Sequence, residues 1–163
     1  MIISIFDQLS MQKTLIQKIA LIYFVLFFLI VALNYVPAIH DEQGQMFGLF
    51  HLDLIDDLVH LGSAVWALIA GWYSIKAATF YFKWFGAAYL LDGILGILVG
   101  KGYLDLAIFM PGPAVTDLGT KIALNVPHIL IGGSAVIIGV VLIRMEFWQR
   151  TTFYANPKAN IQK

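Results

Sequence analysis

A chain of 163 residues that is 60% hydrophobic and 12% charged, with a mean hydropathy of +0.83, lies outside the range of a soluble domain, so its surface is expected to face lipid. Its formal net charge of zero gives no basis for nucleic-acid binding, and the absence of cysteine excludes disulfides, thiol catalysis and thiolate metal sites.

The first apolar run covers 19–39, after Lys13 and Lys18. It is long for a signal peptide and lacks a convincing small-residue cleavage site, which predicts an uncleaved anchor. Met11 is an alternative start to Met1. Residues 46–58 mix apolar side chains with His51, Asp53, Asp56 and Asp57. Asp53, Asp56, Asp57 and His60 follow an i, i+3, i+4, i+7 spacing that places them on one helical face. The second helix is therefore expected to start before the membrane, near Phe47, as an acidic extension over 47–57. Further spans are expected at 58–75, at 84–100 with Asp92 at its centre, and at 122–143. All are close to the ~20 residues that cross a bilayer, the third being short. Between the last two, an apolar segment at 104–110 followed by Pro111-Gly112-Pro113 predicts a turn with its apolar part on the outer interface.

Basic residues orient the spans. Lys13 and Lys18 precede helix 1, Lys76 and Lys83 fall between helices 2 and 3, and Arg144, Arg150, Lys158 and Lys163 follow helix 4, against Lys101 and Lys121 alone in the loops of the other side. Both termini are expected on the cytoplasmic side, in a bacterial case of the inner (plasma) membrane. Trp72, Tyr73, Tyr81, Trp84, Trp148 and Tyr154 are expected in the cytoplasmic interfacial belt. Small residues one turn apart, Ser63-Ala67-Gly71, Gly96-Gly100 and Ala135-Gly139 with Gly132 a turn earlier, predict close helix packing.

Two helices open on related polar signatures, Asp57-x-x-His60 and Asn125-x-x-His128. Superimposing them also matches Ala67 with Ala135, Ile69 with Ile137 and Gly71 with Gly139, which predicts a duplicated helical hairpin. Three readings of the polar residues stand side by side. Each histidine bonds a neighbouring helix, with Asp57 or Asn125 as local partner. Alternatively, His60 and His128 hold a b-type haem between diagonal helices, with Asp57 and Asn125 beside the ring nitrogens. In the third, Asp53, Asp56, Asp57 and His60 bind a metal ion, with His40 or His51 as an added ligand. Asp92 is a separate candidate, as proton relay, ion ligand or a protonated acid bonded to a carbonyl or to Tyr89. No nucleophile motif or phosphate loop is present, so no catalytic residue is assigned.

In these Asn/Asp-x-x-His helices the chain resembles a bacterial family of four-helix integral membrane proteins of unknown function, whose paired signatures read Asn/Asp-x-x-His-x-x-x-Gly. Asn125, His128 and Gly132 match in full, whereas Ala64 stands at the glycine position after His60. The resemblance covers residues 16–143 and implies architecture rather than activity.

The expected fold is thus all-α, a single integral membrane four-helix bundle of two pseudo-repeated hairpins. The expected function is that of a small non-catalytic accessory subunit with lipid and other membrane subunits, or itself, as partners. Proton or cation transport through an oligomer using Asp92, and membrane metal binding, are the alternatives.

Overall fold

The computed structural model describes residues 13–155. Four long helices, α1 (Leu15–Asn34), α2 (Leu54–Tyr73), α3 (Ile75–Val99) and α4 (Leu118–Ala155), follow one another with no strand among the described residues. All four contain stretches long and apolar enough to cross a membrane, the last over Leu118–Leu142. Met11, Lys158 and Lys163 lie outside the described residues, as do the side chains of Trp148, Arg150 and Tyr154.

Local chemistry sets boundaries that differ from the expected ones. Helix α1 opens four residues before 19 because Thr14 and Gln17 form a capping box, and Pro37 lies just beyond its end. Helix α2 begins at Leu54, not near Phe47. The Asp53 carboxylate accepts from the N–H groups of Ile55 and Asp56, while Asp56 returns a bond to the Asp53 N–H, a capping box that fixes the start. The preceding segment could not continue that helix, since Phe47 (φ 55°) and Gly48 (φ 67°) are left-handed and Met46 is bridged to His40 and Phe50. The loop expected between helices 2 and 3 is the single residue Ser74, whose hydroxyl caps α3 through the Ala77 N–H. Lys76 and Lys83 therefore belong to α3.

The pairs α1–α2 and α3–α4 pack most extensively, and α3 also touches α1 and α2. The small residues act within these pairs. A Cβ on Gly71 would meet the Gln17 carbonyl of α1, and one on Gly132 would meet the backbone of Gly86, Tyr89 and Leu90 of α3. Gly139 abuts Phe82 and Lys83, and Gly96 leaves the room that the Asn125 side chain fills. Ala64, Ala67 and Ala135 are fully buried, and Ser63 nearly so. Gly100 instead ends α3 in a left-handed turn at φ 80°.

The centre is aromatic. Tyr23 and Phe27 of α1 meet Phe82, Phe85 and Tyr89 of α3 mostly edge to face, while Tyr81 and Phe85 stack at 4.7 Å. Tyr81 is fully buried here, not part of an interfacial belt, whereas Trp72, Tyr73 and Trp84 are exposed. The reason is registry. With α3 starting at residue 75 instead of 84, Tyr81 lies two turns inside the helix and faces Trp66 and Tyr23.

Candidate functional site

One end of the bundle, where α1 and α3 finish and α2 and α4 begin, collects Asp53, Asp56, Asp57, Asp92, Asp105 and Asp117. Lys13, Lys18, Lys76 and Lys83 belong to the other end, where Lys13 and Gln17 donate to the Gly71 carbonyl at the close of α2.

Asp92 is the best-organised polar group at the acidic end. It lies seven residues before the last residue of α3, roughly 10 Å along the axis at the helical rise, and not at the helix centre. It is 2% exposed. After Gly100 the chain turns back, so that the N–H groups of Tyr103 and Leu104 donate to Oδ1 of Asp92 at 2.6 and 2.9 Å. The other oxygen, Oδ2, lies 2.7 Å from Nδ1 of His128 on α4. Gly102 permits this approach, because a Cβ there would stand 3.0 Å from Oδ1.

Three donors around one buried carboxylate satisfy most of its accepting capacity without lysine or arginine. A carboxylate already engaged by two backbone N–H groups is an acceptor, so the proton shared with His128 belongs on Nδ1. Nε2 then carries the free lone pair. The His128 side chain is 29% exposed, so the pair joins a sealed carboxylate to an accessible imidazole.

Tyr89 leans on His128 with ring centroids 5.3 Å apart and exchanges a hydrogen bond with Ser63 of α2 at 3.0 Å. Asp56 and His60 each lie within electrostatic reach of His128, and Asp105 within reach of Asp56. His60 is 8% exposed, and its Nδ1 contacts the Asp56 carbonyl of its own helix at 2.7 Å.

The other sequence candidates go to separate places. Asp57 is bound by the Asn34 amide at 3.1 and 3.2 Å and by the Tyr35 hydroxyl at 2.7 Å, tying α1 to α2 rather than orienting His60. That bond to the carboxylate pushes the Tyr35 hydroxyl above its ordinary range. Asn125 donates to the Lys121 carbonyl rather than to His128. His40 contacts the Val36 carbonyl, and His51 is exposed. Asp53, Asp56, Asp57 and His60 thus serve a cap, a capping return, an interhelical latch and a backbone bond, and no three His, Asp or Glu side chains among the described residues gather as a metal site.

His60 and His128 do not face each other across open space. Phe27 stands 5.8 Å from the His60 ring and 5.3 Å from Tyr89, which in turn contacts His128. The α1–α3 aromatic stack fills the diagonal that α2 and α4 would need, so a macrocycle between the two histidines does not fit without displacing Phe27 or Tyr89.

The partners missed by sequence reasoning are Asn34, Tyr35, Tyr103 and Leu104. Tyr103 and Leu104 carry no helical periodicity that links them to Asp92, because a loop brings them there. Comparison with protein-family models, with curated proteins and with solved structures found no match to this chain.

Proposed function

We propose that the chain is a small, non-catalytic integral membrane protein whose working element is an exchangeable proton held by His128 and Asp92. The single observation that carries this reading is the 2.7 Å contact between a sealed carboxylate and a part-exposed imidazole. Neutral His128 presents Nε2 as a proton acceptor, while the Asp92 carboxylate holds the ring by accepting from Nδ1. Tyr89 and Ser63 extend the polar groups one step toward α2. The positive-inside pattern supports cytoplasmic termini in a bacterial inner membrane and an acidic end that faces outward. The paired Asn/Asp-x-x-His signatures support membership of the four-helix bacterial family and an ancestral hairpin duplication.

Proton or cation transfer through an assembly is the activity that such a site serves. Purified protein in liposomes under an imposed pH gradient tests it. Proton flux that Asp92→Asn abolishes, with the variant still folded, is the expected outcome; no flux from the unmutated protein, or equal flux from both, contradicts the reading for the isolated chain.

A second reading, an accessory subunit, draws on the outer face of α2. Leu58, Leu61, Val65, Trp66 and Ile69 surround Gly62, and nothing lies within 4 Å of a Cβ placed there. An open notch between large apolar side chains suits a partner helix. Native gel migration from membranes distinguishes a larger complex from a monomer or dimer.

A further inference from the structure

We infer that the segment after α3 is re-entrant and that Leu106, Ile108, Phe109 and Met110 sit among the acyl chains of the outer leaflet. The inference rests on the membrane orientation proposed above. Its starting point is depth. The Tyr103 and Leu104 N–H groups reach Asp92, roughly 10 Å inside the end of α3 at the helical rise, and the Tyr103 hydroxyl donates to the Ala88 carbonyl one turn deeper still. The chain returns to the helix end only at Val115, whose N–H bonds the Gly100 carbonyl.

Between those points the apolar side chains turn outward. Leu106 is 47% exposed, Phe109 77% and Met110 41%, while Leu104 packs on the core. Leu106 adopts φ 65°, a left-handed conformation that a branched apolar residue takes only where its surroundings impose it. Non-helical backbone at membrane depth must have its polar groups satisfied by protein. Here Asp92 takes two of them, the Gly102 carbonyl takes the Ile108 N–H, Asp105 takes the Ala107 N–H, and the Lys101 ammonium covers the Met110 carbonyl. Leu98 and Val99 at the end of α3 and Leu118 and Ile122 at the start of α4, the helices that flank this segment, are exposed as well. Lipid, rather than water, is the partner that fits apolar side chains on a loop anchored this deep whose N–H groups are largely taken up by protein.

The cysteine-free sequence allows single spin labels without background. Labels at Phe109→Cys and Met110→Cys are compared in phosphatidylcholine–phosphatidylglycerol vesicles with Leu98→Cys as a lipid reference and Gln43→Cys as a water reference. The expected result is a several-fold higher ratio of oxygen to nickel-chelate collisions at 109 and 110 than at 43, close to that at 98. Ready access of the nickel chelate at 109 and 110 places the segment in water and overturns the inference. Low access of both reagents overturns it too, by placing a protein partner over the segment. Either failure leaves the Asp92-dependent flux test unaffected unless Leu98→Cys also reads as water, in which case the membrane orientation itself falls.

Discussion

Nδ1 of His128 lies 2.7 Å from Oδ2 of Asp92, joining α4 to α3 across 36 residues of sequence at the acidic end of the bundle. Because Oδ1 of the same carboxylate also accepts from Tyr103 and Leu104, one side chain holds two helices and a loop together. Asp92→Ala leaves those donors buried and unpaired, a loss of about 3 kcal/mol on the scale of broken buried pairs. Thermal unfolding in detergent checks it. Asp92→Asn keeps an acceptor for the loop and is expected to cost less than the alanine variant.

The contacts between α3 and α4 give a sharper steric contrast. Gly132→Ala introduces a methyl that meets the backbone of α3, which cannot yield as a flexible side chain would, and is expected to destabilise by about 1–3 kcal/mol as overpacking does. Gly62→Ala meets nothing within 4 Å and is expected to leave the isolated protein unchanged or slightly firmer through helix propensity. Parallel unfolding curves for the two variants decide it; equal losses would contradict the packing described.

At the other hairpin, Tyr35→Phe removes the hydroxyl that donates to Asp57 while Asn34 continues to hold the carboxylate. A loss of about 0.5–1.5 kcal/mol is expected, the ordinary net worth of one hydrogen bond. Asp57→Ala, which strands both donors, is expected to lose more, measured by the same unfolding assay.

Asp117 supplies a pH prediction outside the membrane. The Thr120 N–H and hydroxyl bond its carboxylate at 2.7 and 2.8 Å and hold its proton affinity below the ordinary value of 3.8. A depressed folded-state value means that the contribution to stability is complete above 3.8 and fades as pH falls through the lower, folded value. A carboxyl carbon titration by NMR is expected to place the Asp117 midpoint below 3.8 and to return it toward that value in Thr120→Ala.

Much of the fold was legible because hydropathy and small-residue spacing are local properties. Gly71, Gly132 and Gly139 each lie against a neighbouring helix and Ser63 bonds Tyr89 across one, whereas Gly100 ends α3. Helix ends were less legible. Capping at Asp53 and Ser74 moved α2 and α3 away from the limits set by apolar runs, and that shift carried Tyr81 into the core and Asp92 toward the acidic end. Asp92 was recognisable as an intramembrane carboxylate, but its partner was not. The pairing with His128 in particular depends on which turns of α3 and α4 share a level, and the contribution of Tyr103 depends on a loop folding back. Neither is written in periodicity. Whether His60 and His128 point toward one another is likewise not written in their spacing, because Phe27 and Tyr89 on the other two helices stand against the two rings.

The most direct test of the His128–Asp92 account is 15N NMR of the His128 side chain in lipid nanodiscs, in the unmutated protein and in Asp92→Asn. The account predicts a neutral ring protonated on Nδ1 with a free Nε2, and a changed tautomer balance when Asp92 is replaced. A neutral ring protonated on Nε2, or the same tautomer balance in the variant, would contradict it.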